Sequence, residues 1–206
     1  TWLWALYLIL SSGIEWYRNP TLLWVDLPHS MSVGLYMLYT FQAGFYIYSS
    51  YAALFIDVRR SDFLLMMTHH VTTLALIFYS WRYSWHRAGL LVLFLMDICD
   101  VLLEASKICY YNEWDTGTTV VFTSLTVVWF AARGFAYYYL LLHPGNLIMY
   151  DIVEPQLPHG QWDYVIFTFS MWFMWWMQLY WGFDILKILV SLIVLGDAED
   201  HREVEH

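Results

Sequence analysis

Charge is what this sequence has least of. Only 13% of its 206 residues are Asp, Glu, Lys or Arg, whereas 60% are hydrophobic, well above the roughly 45–50% of an ordinary water-soluble domain. The nine Lys and Arg are scattered, which excludes the clustered basic surface that nucleic acid requires. Cysteine is scarce too. Cys99 and Cys109 stand ten residues apart in one expected helix, about 15 Å from each other, so they cannot form a disulfide together. The HxxH and HxxHH spacings of membrane di-iron enzymes are missing. Apart from one adjacent pair, the histidines (His29, His86, His143, His159, His201 and His206) are expected in loops or the tail, which leaves too few ligands at one level for a metal. Asn19-Pro20-Thr21 is excluded as a glycosylation acceptor by its central proline. No internal repeat or low-complexity tract is present.

Long apolar runs and aromatic residues take their place. Thirteen Trp and seventeen Tyr suit a protein anchored at two membrane–water interfaces. The chain divides into six candidate spans: 1–17, 31–56, 63–81, 88–111, 118–142 and 162–195. The expected fold is all-α, a polytopic membrane protein of about six transmembrane helices in one domain, 1–196, followed by an acidic tail, 197–206. That tail carries much of the net charge of −9 and reads as solvated. The chain opens without Met inside an apolar segment, so its natural N-terminus is expected upstream. Asp62 or Ser61 is placed to cap the third span. Glu104 with Lys107, and Asp184 with Lys187, are spaced to pair on single helix faces. The last run is too long for a perpendicular span and is expected to tilt, to bend near Gly182 or to project. Basic residues are balanced between the two sides and give no orientation. The segment 143–161, with three of the five prolines, reads as a longer loop of the kind that carries specificity.

Against this apolar background a few ionisable groups stand out. The third span, FLLMMTHHVTTLALIFYSW, contains His69 and His70, and the fourth contains Asp97 and Asp100. Such groups are costly in lipid and mark functional sites by default. A short loop makes these two spans antiparallel neighbours. His70 lies about twelve residues before that loop and Asp97 about ten after it, so both sit roughly 15–18 Å deep. Asp97 and Asp100 share a helix face. His69 and His70 are about 100° apart around theirs, so one is expected to face a cavity and the other a neighbouring span. Arg133, also near mid-depth, is open to two readings: an ion pair with an Asp, or a contact to a ligand phosphate. Imidazole beside carboxylate is an acid–base and nucleophile arrangement, the carboxylate fixing the tautomer while the other ring nitrogen attacks or takes a proton. Two other classes remain compatible with these residues: a non-catalytic lipid-binding protein, and a proton-coupled transporter with a His/Asp relay.

The stretches Asp57-Val-Arg-Arg-Ser-Asp-Phe, Thr68-His-His-Val-Thr-Thr-Leu and Arg87-Ala-Gly-Leu-Leu-Val-Leu-Phe-Leu-Met-Asp-Ile-Cys-Asp-Val-Leu-Leu-Glu-Ala-Ser-Lys resemble the signature of the ceramide synthases, which are TLC-domain membrane proteins. Trp24-Val-Asp-Leu-Pro-His, Phe41-Gln-Ala-Gly-Phe-Tyr, Trp129 with Arg133, Trp181 with Lys187, and the acidic tail follow in matching order. Met96 stands where many members have His, Gln178 where some have His, and Cys99 where Ser is usual. The resemblance implies six spans around a central cavity in the endoplasmic reticulum membrane. It implies transfer of a fatty acyl group from acyl-CoA to the amine of a sphingoid base, giving a ceramide or dihydroceramide, with acyl-CoA as co-substrate and no cofactor. It puts catalysis on His69 and His70, support on Asp97 and Asp100, and substrate contact on Arg133, Trp129 and Gln178. A homo- or heterodimer with a related synthase and a small accessory membrane subunit come with it as expected partners.

Overall fold

The computed structural model describes residues 1–13, 18–24, 29–59, 61–148 and 161–195. The acidic tail and most of the expected specificity loop, 149–160, lie outside the described residues. Everything regular within them is helical: α1 (Trp2–Ser11), a 3-10 turn (Pro20–Leu23), α2 (Val33–Phe55), α3 (Phe63–Arg82), α4 (His86–Tyr111), α5 (Asp115–Trp129), α6 (His143–Ile148) and α7 (Gln161–Leu195). Between α5 and α6 the chain stays helical in a wider register, π-helical over Phe130–Ala136 and Tyr138–Leu142.

Local chemistry sets several boundaries. Ser32 caps α2, its hydroxyl accepting from the Leu35 amide at 3.2 Å, which satisfies one of the orphan donors of a helix start. Pro20 opens the 3-10 turn, with Asn19 accepting from Thr21 N–H. Three residues, Tyr83 to Trp85, join α3 to α4. Ser84 takes the left-handed conformation there, φ 62°, and the Trp85 amide donates back to the Ser80 carbonyl at 2.9 Å. That tight reversal makes α3 and α4 antiparallel neighbours, as their spacing predicts.

Among the described residues, three helical stretches are long and apolar enough to cross a membrane: Phe63–Arg82, Asp115–Asn146 and Val165–Val194. Large apolar side chains cover the outside, among them Phe55, Leu64, Phe135 and Val194, each more than two-thirds exposed. A surface this apolar is that of a bundle solvated by lipid, and the chain is a membrane protein. Inside, one core joins α3, α4, α5, the π-helical segment and α7 around Leu91, Leu125, Tyr137 and Met174. A second joins α1, α2 and α4 around Ala5, Leu38 and Leu93.

Some expectations shift. His86 and His143 are not loop residues: His86 is the first residue of α4 and is buried, and His143 opens α6. α7 continues as helix through Gly182, where the sequence leaves tilting, bending or projecting as alternatives. The glycine lets α7 approach α5, because a Cβ there would stand 3.0 Å from Trp129 Nε1. Both local ion pairs form, Glu104–Lys107 at 2.7 Å and Asp184–Lys187 at 2.8 Å. Asp62 occupies the cap position of α3 but makes no capping bond with its side chain.

Candidate active site

α3 carries His69 and His70 about two turns past its N-terminus at Phe63. Both line a cavity of about 240 Å³, together with Tyr46 of α2, Asp100 of α4, Arg133 of the π-helical segment and Trp181 of α7. The expectation that only one imidazole would face a cavity is therefore corrected. Although the two side chains leave the helix in different directions, the cavity sits in the angle between them, and their ring centroids are 5.9 Å apart. Tyr46 fills the remaining side, its ring edge-to-face with both, 6.1 Å from His69 and 5.8 Å from His70. Neither imidazole is tied to a carboxylate, and the Nδ1 atoms of both lack a hydrogen-bond partner.

The two aspartates, three residues apart, do different things. Asp100 is half exposed on the cavity wall and pairs with Arg133 Nη2 through Oδ1 at 2.5 Å. Asp97 is buried and points towards α2, where Gln42 Nε2 donates to both carboxylate oxygens at 3.0 and 2.9 Å. It is not among the residues lining the cavity. Gln42 and Tyr46 are one helical turn apart and share a face, so the bond that Gln42 makes to Asp97 also sets the rotation of α2 that presents Tyr46 to the histidines.

Arg133 is the strut of the site. Beyond Asp100, its Nη2 donates to the Met96 carbonyl at 2.5 Å and its Nη1 to Gln178 Oε1 at 3.0 Å. Its guanidinium carbon lies 4.1 Å from the centroid of the Trp129 ring, four residues earlier. Trp129 in turn donates to the Gln178 carbonyl at 2.9 Å. Arg133 and Trp129 reach the cavity, whereas Gln178, 1% exposed, stands behind Arg133 and does not line it. The wider π register, which recurs at functional sites, begins at Phe130, three residues before this arginine, and includes it. Among the described residues, no group of three or more His, Cys, Asp or Glu is gathered to hold a metal.

Sequence reading did not single out Tyr46, nor the use made of Asp62. The signal for Tyr46 was its spacing from Gln42, the only amide of that helix. A narrow apolar slot adjoins the cavity, sharing Tyr46, His69 and Met96 with it, and continues between α3, α4 and α7 past Thr73, Val92 and Met174 to Ser80 and Trp85.

The structure is that of a lipid-facing helical bundle with paired imidazoles, a half-exposed carboxylate and a buried arginine around one cavity, beside a narrow apolar slot. The chain belongs to the TLC-domain family, whose model matches residues 1–187. Ceramide synthases are among its relatives. It is 32% identical to ceramide synthase LOH1 of Arabidopsis thaliana over 97% of this chain and 70% of that protein. It is 31% identical to ceramide synthase LOH2 of the same plant over 86% of this chain and 62% of that protein, and 30% identical to ceramide synthase hyl-2 of Caenorhabditis elegans over 97% and 62%. The chain thus spans roughly two-thirds of the length of these relatives.

Proposed function

We propose that the protein is a ceramide synthase: an N-acyltransferase of the endoplasmic reticulum membrane, with six spans, that moves a fatty acyl group from acyl-CoA to the amine of a sphingoid base. The observation that carries this reading is that the two spaces share a wall at His69. An apolar slot along α3 is lined at one end by His69, and His69 shares a polar cavity with His70 and Asp100. Similarity to ceramide synthases over nearly the whole chain supports it.

In this mechanism the acyl chain lies in the slot and its thioester carbonyl reaches the imidazoles. A ring nitrogen of His69 or His70 attacks the carbonyl carbon, the carbon–sulfur bond breaks, and CoA leaves as the thiol, taking the proton released by the imidazole. The resulting acyl-imidazole is kept from hydrolysis by its apolar surroundings. The sphingoid amine then attacks the same carbon, Asp100 accepts the ammonium proton, and as the carbon–nitrogen bond to imidazole breaks that proton is returned to the departing ring nitrogen, restoring neutral imidazole and carboxylate. Asp100 is preferred to Asp97 because it faces the cavity, whereas Asp97 is held by Gln42.

The direct test mixes purified protein with palmitoyl-CoA and sphinganine and follows free thiol and N-acyl product. Wild type is expected to release thiol and product together, and the His69→Ala, His70→Ala double variant to fall by about 10²-fold or more, the scale of losing an acid–base group. Thiol release no faster than that of the double variant would falsify the enzyme reading. Proton-driven flux in liposomes without thiol release would identify a transporter instead.

The slot makes a separate prediction. From His69 to Ser80 it follows α3 for eleven residues, about 16 Å. Val92→Trp, on its α4 wall, is expected to shift acyl-CoA preference towards shorter chains, read as the ratio of N-acyl products in a mixed-chain competition. An unchanged product ratio would mean the chain lies elsewhere.

A further inference from the structure

Asp62 is a buried carboxylate at the head of α3. It stands where an aspartate ordinarily caps the first turn, worth about 1 kcal/mol, yet its side chain makes no capping bond to α3. Its Oδ2 instead accepts across the bundle from the Trp181 indole N–H of α7, at 3.3 Å. The indole is 5% exposed, forms part of the cavity wall, and meets the His69 imidazole edge-to-face, with centroids 5.2 Å apart and planes at 82°. Asp62 and His69 are seven residues apart, two helical turns, so they project from the same side of α3. Trp181 spans them, held at its N–H by one and touching the other with its ring.

His69 needs such a holder. With no hydrogen-bond partner at Nδ1, the orientation of its ring depends on ring packing against Tyr46, His70 and Trp181. Of these, Trp181 makes the shortest approach, and its indole is anchored to Asp62. We propose that Asp62 and Trp181 are positioning residues for acyl transfer: the Asp62 carboxylate fixes the indole, and the indole holds the His69 imidazole facing the cavity. This rests on reading His69 as part of the reacting machinery.

The test uses the full chain purified in detergent. Trp181→Phe keeps an aromatic ring but loses the N–H. Asp62→Ala loses the acceptor, and Asp62→Asn keeps an acceptor oxygen. Asp62→Ala and Trp181→Phe are each expected to lower kcat by about ten-fold or more, within the range that a misplaced reacting group costs, with KM for palmitoyl-CoA and sphinganine little changed. Asp62→Asn is expected to recover most of the loss. The double variant Asp62→Ala, Trp181→Phe should be no worse than the poorer single one, because both break the same bond. Losses that multiply, or a folded Trp181→Phe enzyme with wild-type kcat, overturn the proposal.

A second readout does not depend on turnover. The rate of diethyl pyrocarbonate modification at His69, located by tandem mass spectrometry, is expected to change several-fold in Trp181→Phe and Asp62→Ala while the rate at His70 moves less. An unaltered rate at His69 overturns the proposal even in an active enzyme. Altered His69 reactivity in a protein that never transfers acyl groups would support the positioning pair while removing the synthase reading.

Discussion

Arg133→Lys is expected to unfold at a midpoint roughly 6–12 °C below that of the parent protein, despite conserving charge. The arginine is 5% exposed and its fork serves three acceptors on two helices: the Met96 carbonyl and Asp100 on α4, and Gln178 on α7. Its flat face also covers the Trp129 ring. A lysine presents one compact ammonium, which cannot reach three acceptors in that geometry or stack flat on an indole. The loss is uneven. Asp100 is half exposed, so solvent screening leaves its share of the ion pair small. Gln178 and the Met96 carbonyl lie in the interior, and each buried polar group stranded there costs about 1–3 kcal/mol. A total of about 3 kcal/mol, at roughly 2–4 °C per kcal/mol for a chain of this size, gives the stated shift. Thermal unfolding in detergent by tryptophan fluorescence measures it. An unchanged midpoint would mean that the three contacts do not hold α4, α7 and the π-helical segment together.

Features that depend on short-range periodicity were legible in the sequence. The third span, expected over 63–81, is Phe63–Arg82, and the second, expected over 31–56, is Val33–Phe55. Glu104 with Lys107 and Asp184 with Lys187 pair as their three-residue spacing predicts, because each pair lies within one helical turn. What was hidden is the rotation of each helix against its neighbours. Spacing puts Asp97 and Asp100 on one side of α4, but not which of them meets α2 and which meets the cavity. A face 40–60° wide can straddle two contacts, and only the packing of α1, α2 and α5 decides. The same applies to His69 and His70, whose separation in angle is no obstacle once a cavity occupies the angle. Nor does periodicity reveal the change to π register after Trp129: no proline or glycine pair announces it. The gain from it lies in tertiary contacts of Arg133 that reach 33 to 45 residues along the chain. Asp62 was misleading for the opposite reason. A local rule assigned it to a helix cap, and a partner 119 residues away took it instead.

The division of labour between the aspartates carries the other large effect. Asp100→Asn is expected to lower N-acyl product formation by about 10²–10⁴-fold, the usual contribution of a positioned base, whereas Asp97→Asn should stay within a few-fold of wild type. The substitutions are chemically identical and three residues apart; only the surroundings differ. An asparagine at 97 still offers Gln42 an oxygen to bond, so α2 keeps the rotation that sets Tyr46 against the histidines. An asparagine at 100 still accepts from Arg133 but can no longer take up the ammonium proton, which stalls the second half of the reaction. Acyl-imidazole formation does not need that step. Asp100→Asn given palmitoyl-CoA and sphinganine should therefore accumulate an acyl adduct on the His69–His70 peptide, visible by intact mass and mapped by fragmentation. Asp97→Leu probes the structural half of the pair: it strands the buried Gln42 amide at about 1–3 kcal/mol, so stability should fall and activity should follow it only as far as Tyr46 moves. Loss of turnover in Asp97→Asn, with Asp100→Asn remaining active and free of adduct, would transfer the base to the carboxylate bound to Gln42 and require α4 to turn by about a sixth of a helical revolution during catalysis.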